Sequence, residues 1–215
     1  MIKILVCGDY VPQDRVSKLI YNENYALVFS EVKKFTTQAD YSIVNLEAPV
    51  VETSAQPIEK CGPNLKCSAR AIKALQYAGA DMVTRANNHF YDYGDEGVKQ
   101  TLEACENESI AVVGGGMNIT EAARIIYKEI NSIKIAFINC CENEFSIATK
   151  TSAGSNPLNP IQQYYAIQEA KQKADKIIII VHGGHEHYQL PSPRMKETYR
   201  FFIDAGADAV INHHQ

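Results

Sequence analysis

The sequence predicts an α/β protein in which parallel strands carry polar side chains to one edge of the fold, and three observations support that expectation. Apolar, β-rich runs without polar alternation, at residues 2–7 and 176–181, need cover on both faces, as parallel strands flanked by helices have. Segments with helical spacing of apolar residues separate such runs. The runs also end alike. Val6 precedes Gly8-Asp9, Val44 precedes Asn45-Leu46-Glu47, Val83 leads to Asn88-His89, Val181 precedes His182, and Ile211 precedes Asn212-His213-His214. Open α/β sheets keep their ligands at the carboxyl ends of strands.

Taken in order, residues 2–7 read as the first strand, and Gly8-Asp9-Tyr10-Val11-Pro12 as a turn presenting Asp9. Residues 16–38 carry a helical pattern marked by Val28, Val32 and Phe35, with Lys33 and Lys34 free to face solvent. Residues 41–46 form the second strand. Glu47 stands at its exit, and Pro49 blocks regular continuation. The Pro-, Gly- and Cys-bearing stretch 47–68 lacks a strong period and suits a site wall or binding loop. Ser68 is the expected cap of a helix over 69–78, with Gly79 as its stop.

Residues 81–84 supply the strand that feeds Asn87-Asn88-His89, and a helix begins near Gly94 with Val98, Thr101, Leu102 and Cys105 on its apolar side. The next strand, 110–113, ends at Gly114-Gly115-Gly116. These glycines lack both the Lys-Ser/Thr of a P-loop and dinucleotide spacing, so they read as a turn permitting close packing. A helical turn near Glu121 leads to two strands around Asn131-Ser132, expected as a β-hairpin. After a polar connection over 142–160 come a helix over 161–174, the strand 176–181, a helix over 194–205 closed by Gly206, and a last strand 208–211.

A length of 215 residues fits one α/β domain with a substantial core. With 46% hydrophobic and 21% charged residues the chain belongs among globular proteins, and disorder is excluded as its general state. A net charge of −4 gives no general attraction to nucleic acid or to an acidic membrane surface, so neither is an expected partner. The amino-terminal apolar run is too short for a signal segment or membrane span, and a cytoplasmic location is the expectation. Cys7, Cys61, Cys67, Cys105, Cys140 and Cys141 lack Cys-x-x-Cys spacing, so reduced thiols are expected.

All six histidines, at positions 89, 182, 185, 187, 213 and 214, lie at or just beyond a predicted strand exit. Oxygen ligands from Asp9, Glu47 and Asn88 with imidazoles from His182 and His214 suit Mn, Fe or Zn better than a soft copper site. Two neighbouring divalent ions would polarise a phosphoryl oxygen and acidify water, and a nearby histidine could protonate the leaving oxygen. His89 is the candidate acid, with Asp92 holding its other ring nitrogen. Arg15, Arg85 and Arg200 are the cations available to an anionic substrate.

Asn45-Leu46-Glu47-Ala48-Pro49, Ala86-Asn87-Asn88-His89-Phe90-Tyr91-Asp92-Tyr93-Gly94, His182-Gly183-Gly184-His185-Glu186, and Gly206-Ala207-Asp208 through His213-His214 resemble, in order, the motifs of the bacterial capsule and poly-gamma-glutamate synthesis family CapA. That family looks like a branch of the calcineurin-like metallophosphoesterases, which implies a layered α/β/β/α fold around a dinuclear site. By this resemblance Asp9 is the first metal carboxylate, Glu47 or Asn45 the second-strand ligand, Asn88 the ligand amide, His182 the next imidazole, and His214 the first histidine of a terminal His-x-His pair. His89 and Asp92 match the catalytic imidazole and its partner. Arg85, His185, Glu186 and His213 are expected at the substrate or behind the ligands.

The sequence departs from the wider pattern in three places. Asp9-Tyr10-Val11 has no histidine where Asp-x-His is usual, Asn45-Leu46-Glu47 replaces Gly-Asp, and Asn212 stands where glycine is common. The chain stops at Gln215, where the second terminal histidine would follow, so a C-terminal continuation is expected to be missing and one metal to be held weakly. The resemblance implies a metal-dependent hydrolase linked to capsule or poly-gamma-glutamate synthesis, acting on an anionic substrate or polymer. A phosphoester is the expected bond. Hydrolysis of poly-gamma-glutamate amide bonds and non-catalytic polymer binding or capsule assembly are the alternatives.

Overall fold

The computed structural model describes residues 1–215 other than Thr53, Glu186 and Gln215, so Glu186, expected beside the ligands, lies outside the described residues. In chain order the elements are β1 (Ile4–Tyr10), α1 (Asp14–Tyr21), α2 (Tyr25–Thr36), β2 (Tyr41–Leu46), α3 (Arg70–Ala78), β3 (Met82–Thr84), α4 (Gly94–Asn107), β4 (Ala111–Val113), β5 (Gly115–Gly116), α5 (Ile119–Ala122), β6 (Ile126–Ile130), β7 (Ile133–Cys141), β8 (Gly154–Ser155), α6 (Pro160–Lys171), β9 (Lys176–His182), α7 (Pro193–Ala205) and β10 (Ala209–His213). One sheet runs β1-β2-β3-β4, all parallel. The second runs β10-β9-β7-β6, parallel except for the β6–β7 hairpin. A short antiparallel pair, β5 with β8, completes the strands described.

Side-chain alternation turns these two sheets into four layers. On β2, Ile43 packs between the sheets while Val44 faces the helices over the first sheet. On β9, Ile178 and Ile180 point between the sheets, whereas Ile177, Ile179 and Val181 pack with Ile167 of α6 and Phe202 of α7. Ile43, Met82, Val113, Ile135, Phe137 and Ile180 form the dry layer where the sheets meet. The result is the layered α/β/β/α architecture of the calcineurin-like phosphoesterases, with the candidate ligands gathered at strand ends.

Several local expectations change. β1 does not turn at Gly8 but continues to Tyr10, and its pairing with β2 slips between Cys7 and Asp9. Cys7 pairs with Val44 and Asp9 with Asn45, so Gly8 is the extra residue of a β-bulge. The bulge has a functional result. Without it Asp9 would fall opposite Leu46, on the helix-facing side, whereas with it Asp9 shares the inter-sheet side with Asn45.

The pattern over 16–38 is two helices, because Glu23 adopts φ 58° and Asn24 N–H returns to Leu19 O, closing α1 before α2 begins. Val32 and Phe35, at 39% and 65% exposure, lie on the outer face of α2, and Phe29 and Thr36 are its buried residues. Ser68 does not cap α3 through its hydroxyl; the Glu52 carboxylate takes the Ala69 N–H instead. The glycine run packs closely, as the sequence suggested: a Cβ on Gly115 would meet Phe90 at 2.3 Å and Arg85 at 2.8 Å. All six cysteines are free.

Candidate metal centre

Strand ends from both sheets supply the ligands. Asp9 and Asn45 are the last residues but one of β1 and β2, Glu47 lies just beyond β2, and Asn87-Asn88-His89 follow β3; His182 ends β9, His213 ends β10, and His214 comes next. Two donor sets result, Asp9 with His182 and His213, and Glu47 with His182 and His214. Within each, the ligand atoms lie within 4.8 Å of one another. His182 is shared. Its Nδ1 is 3.9 Å from Asp9 Oδ1, and its Nε2 is 3.7 Å from Glu47 Oε1 and 3.0 Å from Asn88 Oδ1.

Asn45 departs from its expected role. Its Oδ1 turns inward and accepts from Thr84 Oγ1 at 3.0 Å and Asn87 Nδ2 at 3.3 Å. Its amide nitrogen faces the cleft, 2.7 Å from Asp9 Oδ1 and 3.2 Å from His182 Nδ1. A donor cannot ligate a cation, so Asn45 orients Asp9 and His182 and is not itself a ligand in this arrangement. The same contacts assign the His182 proton to Nε2, where it can donate to Asn88, leaving Nδ1 to accept from Asn45.

His213, expected behind the ligands, belongs to a ligand set. Parallel register pairs His213 with His182, so the two rings leave the same face of adjacent strands. Alternation would send the next side chain to the opposite face. His214 escapes this because its backbone is left-handed, φ 65°, and its ring reaches 4.8 Å from that of His182, centroid to centroid.

The donor set fits a divalent metal of the Mn, Fe or Zn kind, with hard carboxylate oxygens and neutral imidazoles. His213 Nδ1 is buried, has no hydrogen-bond partner among the described residues, and lies 4.0 Å from Asp9 Oδ1. Burial holds His182 neutral, its pKa pushed down to about 2, with the neighbouring histidines acting in the same direction. Burial also lowers the His213 pKa against the pull of Asp9. The Glu47 carboxyl is raised above the usual carboxylate range by burial and then by Asp9. A cation among these groups would favour the ionised Glu47 carboxylate and keep the imidazoles neutral, the form in which they ligate.

Beside the donor sets stands the His89–Asp92 pair, His89 Nδ1 to Asp92 Oδ2 at 2.7 Å. Asp92 is 1% exposed and the His89 side chain 12%. A third member, which the sequence reading missed, is Lys60, whose Nζ bonds Asp92 Oδ1 and lies 3.3 Å from His89 Nδ1. Lys60 sits in an aperiodic connection, so nothing in its own spacing marked it.

The loop after β3 is held from the opposite sheet. Asn139 Oδ1 accepts from Arg85 N at 3.1 Å and Ala86 N at 2.7 Å, and its Nδ2 donates to Ile180 O at 2.9 Å. Ser146 and Ser155 hydroxyls both donate to Asn87 O.

The expected anion contacts do not converge. Arg85 is fully buried against Phe90, 4.2 Å from its ring centroid, with Nη1 donating to Ala48 O at 3.3 Å, so it offers a substrate nothing directly. Burial lowers its pKa to about 10, and the charge it retains still favours the ionised form of Glu47. Arg15 and Arg200 are exposed on α1 and α7, the opposite outer layers. His185 is exposed and packs edge-on to Tyr188, outside both donor sets. A separate cavity of about 590 Å³, lined by Lys18, Tyr21, Lys66 and Cys67 among others, shares no residue with the donor sets.

The family model described as bacterial capsule synthesis protein PGA_cap matches residues 3–215. The chain belongs to that family. Among its PGA_cap relatives, the capsule biosynthesis protein CapA of Bacillus anthracis is 30% identical over 99% of this chain and 54% of its own length. The PGA biosynthesis protein CapA of Bacillus subtilis is 29% identical over 96% of this chain and 55% of its own length. The chain thus spans about half the length of these curated relatives. The fold recurs among solved structures. A hypothetical protein from Thermus thermophilus superposes with a TM-score of 0.58 at 17% identity, covering 99% of this chain and 68% of its own. A candidate 5′-nucleotidase from Staphylococcus aureus does so at 0.57 and 17%, covering 100% of this chain and 45% of its own.

Proposed function

We propose that this PGA_cap chain is a metal-dependent phosphoester hydrolase serving capsule or poly-gamma-glutamate synthesis. The observation that carries the reading is the placing of two carboxylate–histidine donor sets, sharing His182, beside a hydrogen-bonded His89–Asp92 pair. Asp9, His182 and His213 would hold one divalent ion, and Glu47, Asn88, His182 and His214 a second. Both His182 nitrogens are hydrogen-bonded in this arrangement, Nδ1 to Asn45 and Nε2 to Asn88, so the ring would have to exchange one of those bonds for an ion to serve in either set.

Bound Mn, Fe or Zn supplies positive charge that polarises a phosphoryl oxygen and acidifies water. The rest is the work of the protein's own side chains. Asn45 and Asn88 fix the His182 ring between the two carboxylates. Asp92 accepts from His89 Nδ1–H, so that in the imidazolium form Nε2–H is the proton given to the departing oxygen, leaving the neutral ring with its Nδ1–H on Asp92. Asn87 Oδ1 accepts from His89 N–H at 3.1 Å and fixes the backbone of the acid as well. An anionic polymer of the poly-gamma-glutamate kind is the partner class this reading favours, supported by membership of a capsule synthesis family.

The test is metal analysis of protein purified without chelator, reconstitution with Mn, Fe and Zn, and turnover of a phosphomonoester and phosphodiester panel alongside poly-gamma-glutamate. His89→Asn should retain its metal and lose turnover about 100- to 10,000-fold, the usual range for general acid catalysis. Undiminished turnover in that variant removes the assigned acid. Protein that holds metal and binds the polymer yet cleaves neither substrate class is an assembly component, and cleavage of poly-gamma-glutamate alone shifts the reaction to the amide bond.

A further inference from the structure

The connection between β2 and α3 docks on Asp92 at three points. Ile58 N–H donates to Asp92 O at 2.9 Å, Leu65 N–H donates to Asp92 Oδ2 at 2.6 Å, and Lys60 reaches Asp92 Oδ1. Asn64 closes the loop on itself through Nδ2 to Ile58 O at 3.1 Å. The Lys60 side chain is only 3% exposed, an unusual state for an ammonium, and Asp92 is 1% exposed. Phe145, at the rim and 47% exposed, lies 5.9 Å from the ammonium, centroid to Nζ.

The two oxygens of Asp92 therefore have distinct tasks. Oδ2 takes His89 Nδ1–H and Leu65 N–H, while Oδ1 takes Lys60. A carboxylate held at one oxygen can still rotate or recruit water to the other, and its partner imidazole then loses a fixed bearing. With Lys60 on Oδ1 the carboxylate plane is set, so the His89 ring is set and its Nε2 aim with it.

Building on the hydrolase reading, we propose that Lys60 is a positioning residue for the His89 acid, acting through Asp92 to orient the proton that goes to the leaving oxygen. No bond forms to Lys60 and its own proton stays in place.

The test compares wild type, Lys60→Met, Lys60→Arg, His89→Asn and the Lys60→Met/His89→Asn double variant, all Mn-loaded. Two phosphodiesters of equal charge are used, one with a nitrophenolate leaving group and one with an alkoxide, which needs the proton far more. Lys60→Met should lower kcat on the alkoxide ester about 10- to 100-fold, within the range of a misdirected catalytic proton. It should lower kcat on the nitrophenyl ester much less, leave KM within about twofold, and add nothing in the His89→Asn background. Lys60→Arg should restore most of the loss. Equal losses on both esters, or additive losses in the double variant, would show Lys60 to be a structural support only and overturn the proposal.

A readout without turnover separates this idea from the reading it rests on. In metal-free protein the His89 Nδ1–H bonded to Asp92 should give a downfield proton resonance that is absent in His89→Asn and Asp92→Asn. Lys60→Met should broaden or shift it and Lys60→Arg should recover it. An unchanged resonance in Lys60→Met rejects the positioning role whatever the kinetics. A displaced resonance with no effect of His89→Asn on turnover instead rejects the acid assignment and leaves the Lys60–Asp92–His89 linkage standing.

Discussion

Replacing Gly114 with alanine should cost a large part of the folding free energy, and the structure says where the cost arises. Gly114 has φ +85°, and a Cβ there would stand 2.0 Å from Asn139 Oδ1 and 2.9 Å from Ala86 Cβ. The left-handed backbone alone costs alanine about 1–2 kcal/mol. Asn139 would have to leave, abandoning the Ala86 N–H, while Arg85 N–H keeps a second acceptor in Val113 O at 2.8 Å. An abandoned buried group costs about 1–3 kcal/mol, so the total is about 4 kcal/mol. For a chain of this size that is a melting shift of about 10 °C.

The decisive measurement is a double-mutant cycle by urea unfolding of wild type, Gly114→Ala, Asn139→Ala and the pair. With Asn139 already truncated the worst clash is gone, so Gly114→Ala should then cost about 2 kcal/mol, a coupling of about 2 kcal/mol. A coupling below about 0.5 kcal/mol would refute the claim that this glycine exists to admit Asn139.

Asp92→Asn should destabilise the protein as well as lower the proposed turnover, because it leaves Lys60 buried without its counter-ion; a loss of about 3–5 kcal/mol by chemical unfolding is expected, and one below about 1 kcal/mol would argue against a buried pair. In metal-free protein stability should fall as pH drops below about 6.5. His182 is held neutral down to about 2 and His213 is lowered too, so the unfolded chain binds protons that the folded one refuses, at up to about 1.4 kcal/mol per pH unit for each histidine. Glu47, whose folded pKa is raised, works in the opposite sense and takes up its proton in the folded state first, so the net slope should stay below that of two histidines. Melts at pH 7.5 and 5.5 on wild type and His182→Asn test this, and a flat wild-type profile contradicts it. Chelation should lower the melting temperature, since a metal at 100 times its Kd stabilises by about 2.7 kcal/mol; an unchanged melt after complete metal removal would contradict binding at these residues.

The strands were legible because buried parallel strands are written as unbroken apolar runs, and residues 176–181 are the plainest case. Their exits were legible for the same reason, as polar residues interrupt those runs abruptly. What could not be read was anything set by pairing. The bulge at Gly8 appears only when β1 is laid against β2, and the role of His213 only when β10 is laid against β9. The amide orientation of Asn45 depends on Thr84 and Asn87, and the burial of Lys60 on a loop with no period of its own. Arg85 misled because arginine after a strand looks available to an anion, while packing against Phe90 removes it.

The donor residues are divided between the two sheets: Asp9, Glu47 and Asn88 arise from β1, β2 and β3, and His182, His213 and His214 from β9 and β10. An ion bound between them would be a rivet across the inter-sheet seam, and its binding free energy would appear as resistance to the sheets parting. During synthesis β1 to β4 leave the ribosome well before β10, so the acidic half of the centre waits without its imidazoles. Metal loading is therefore expected to be a late event, one that marks the docking of the second sheet onto the first.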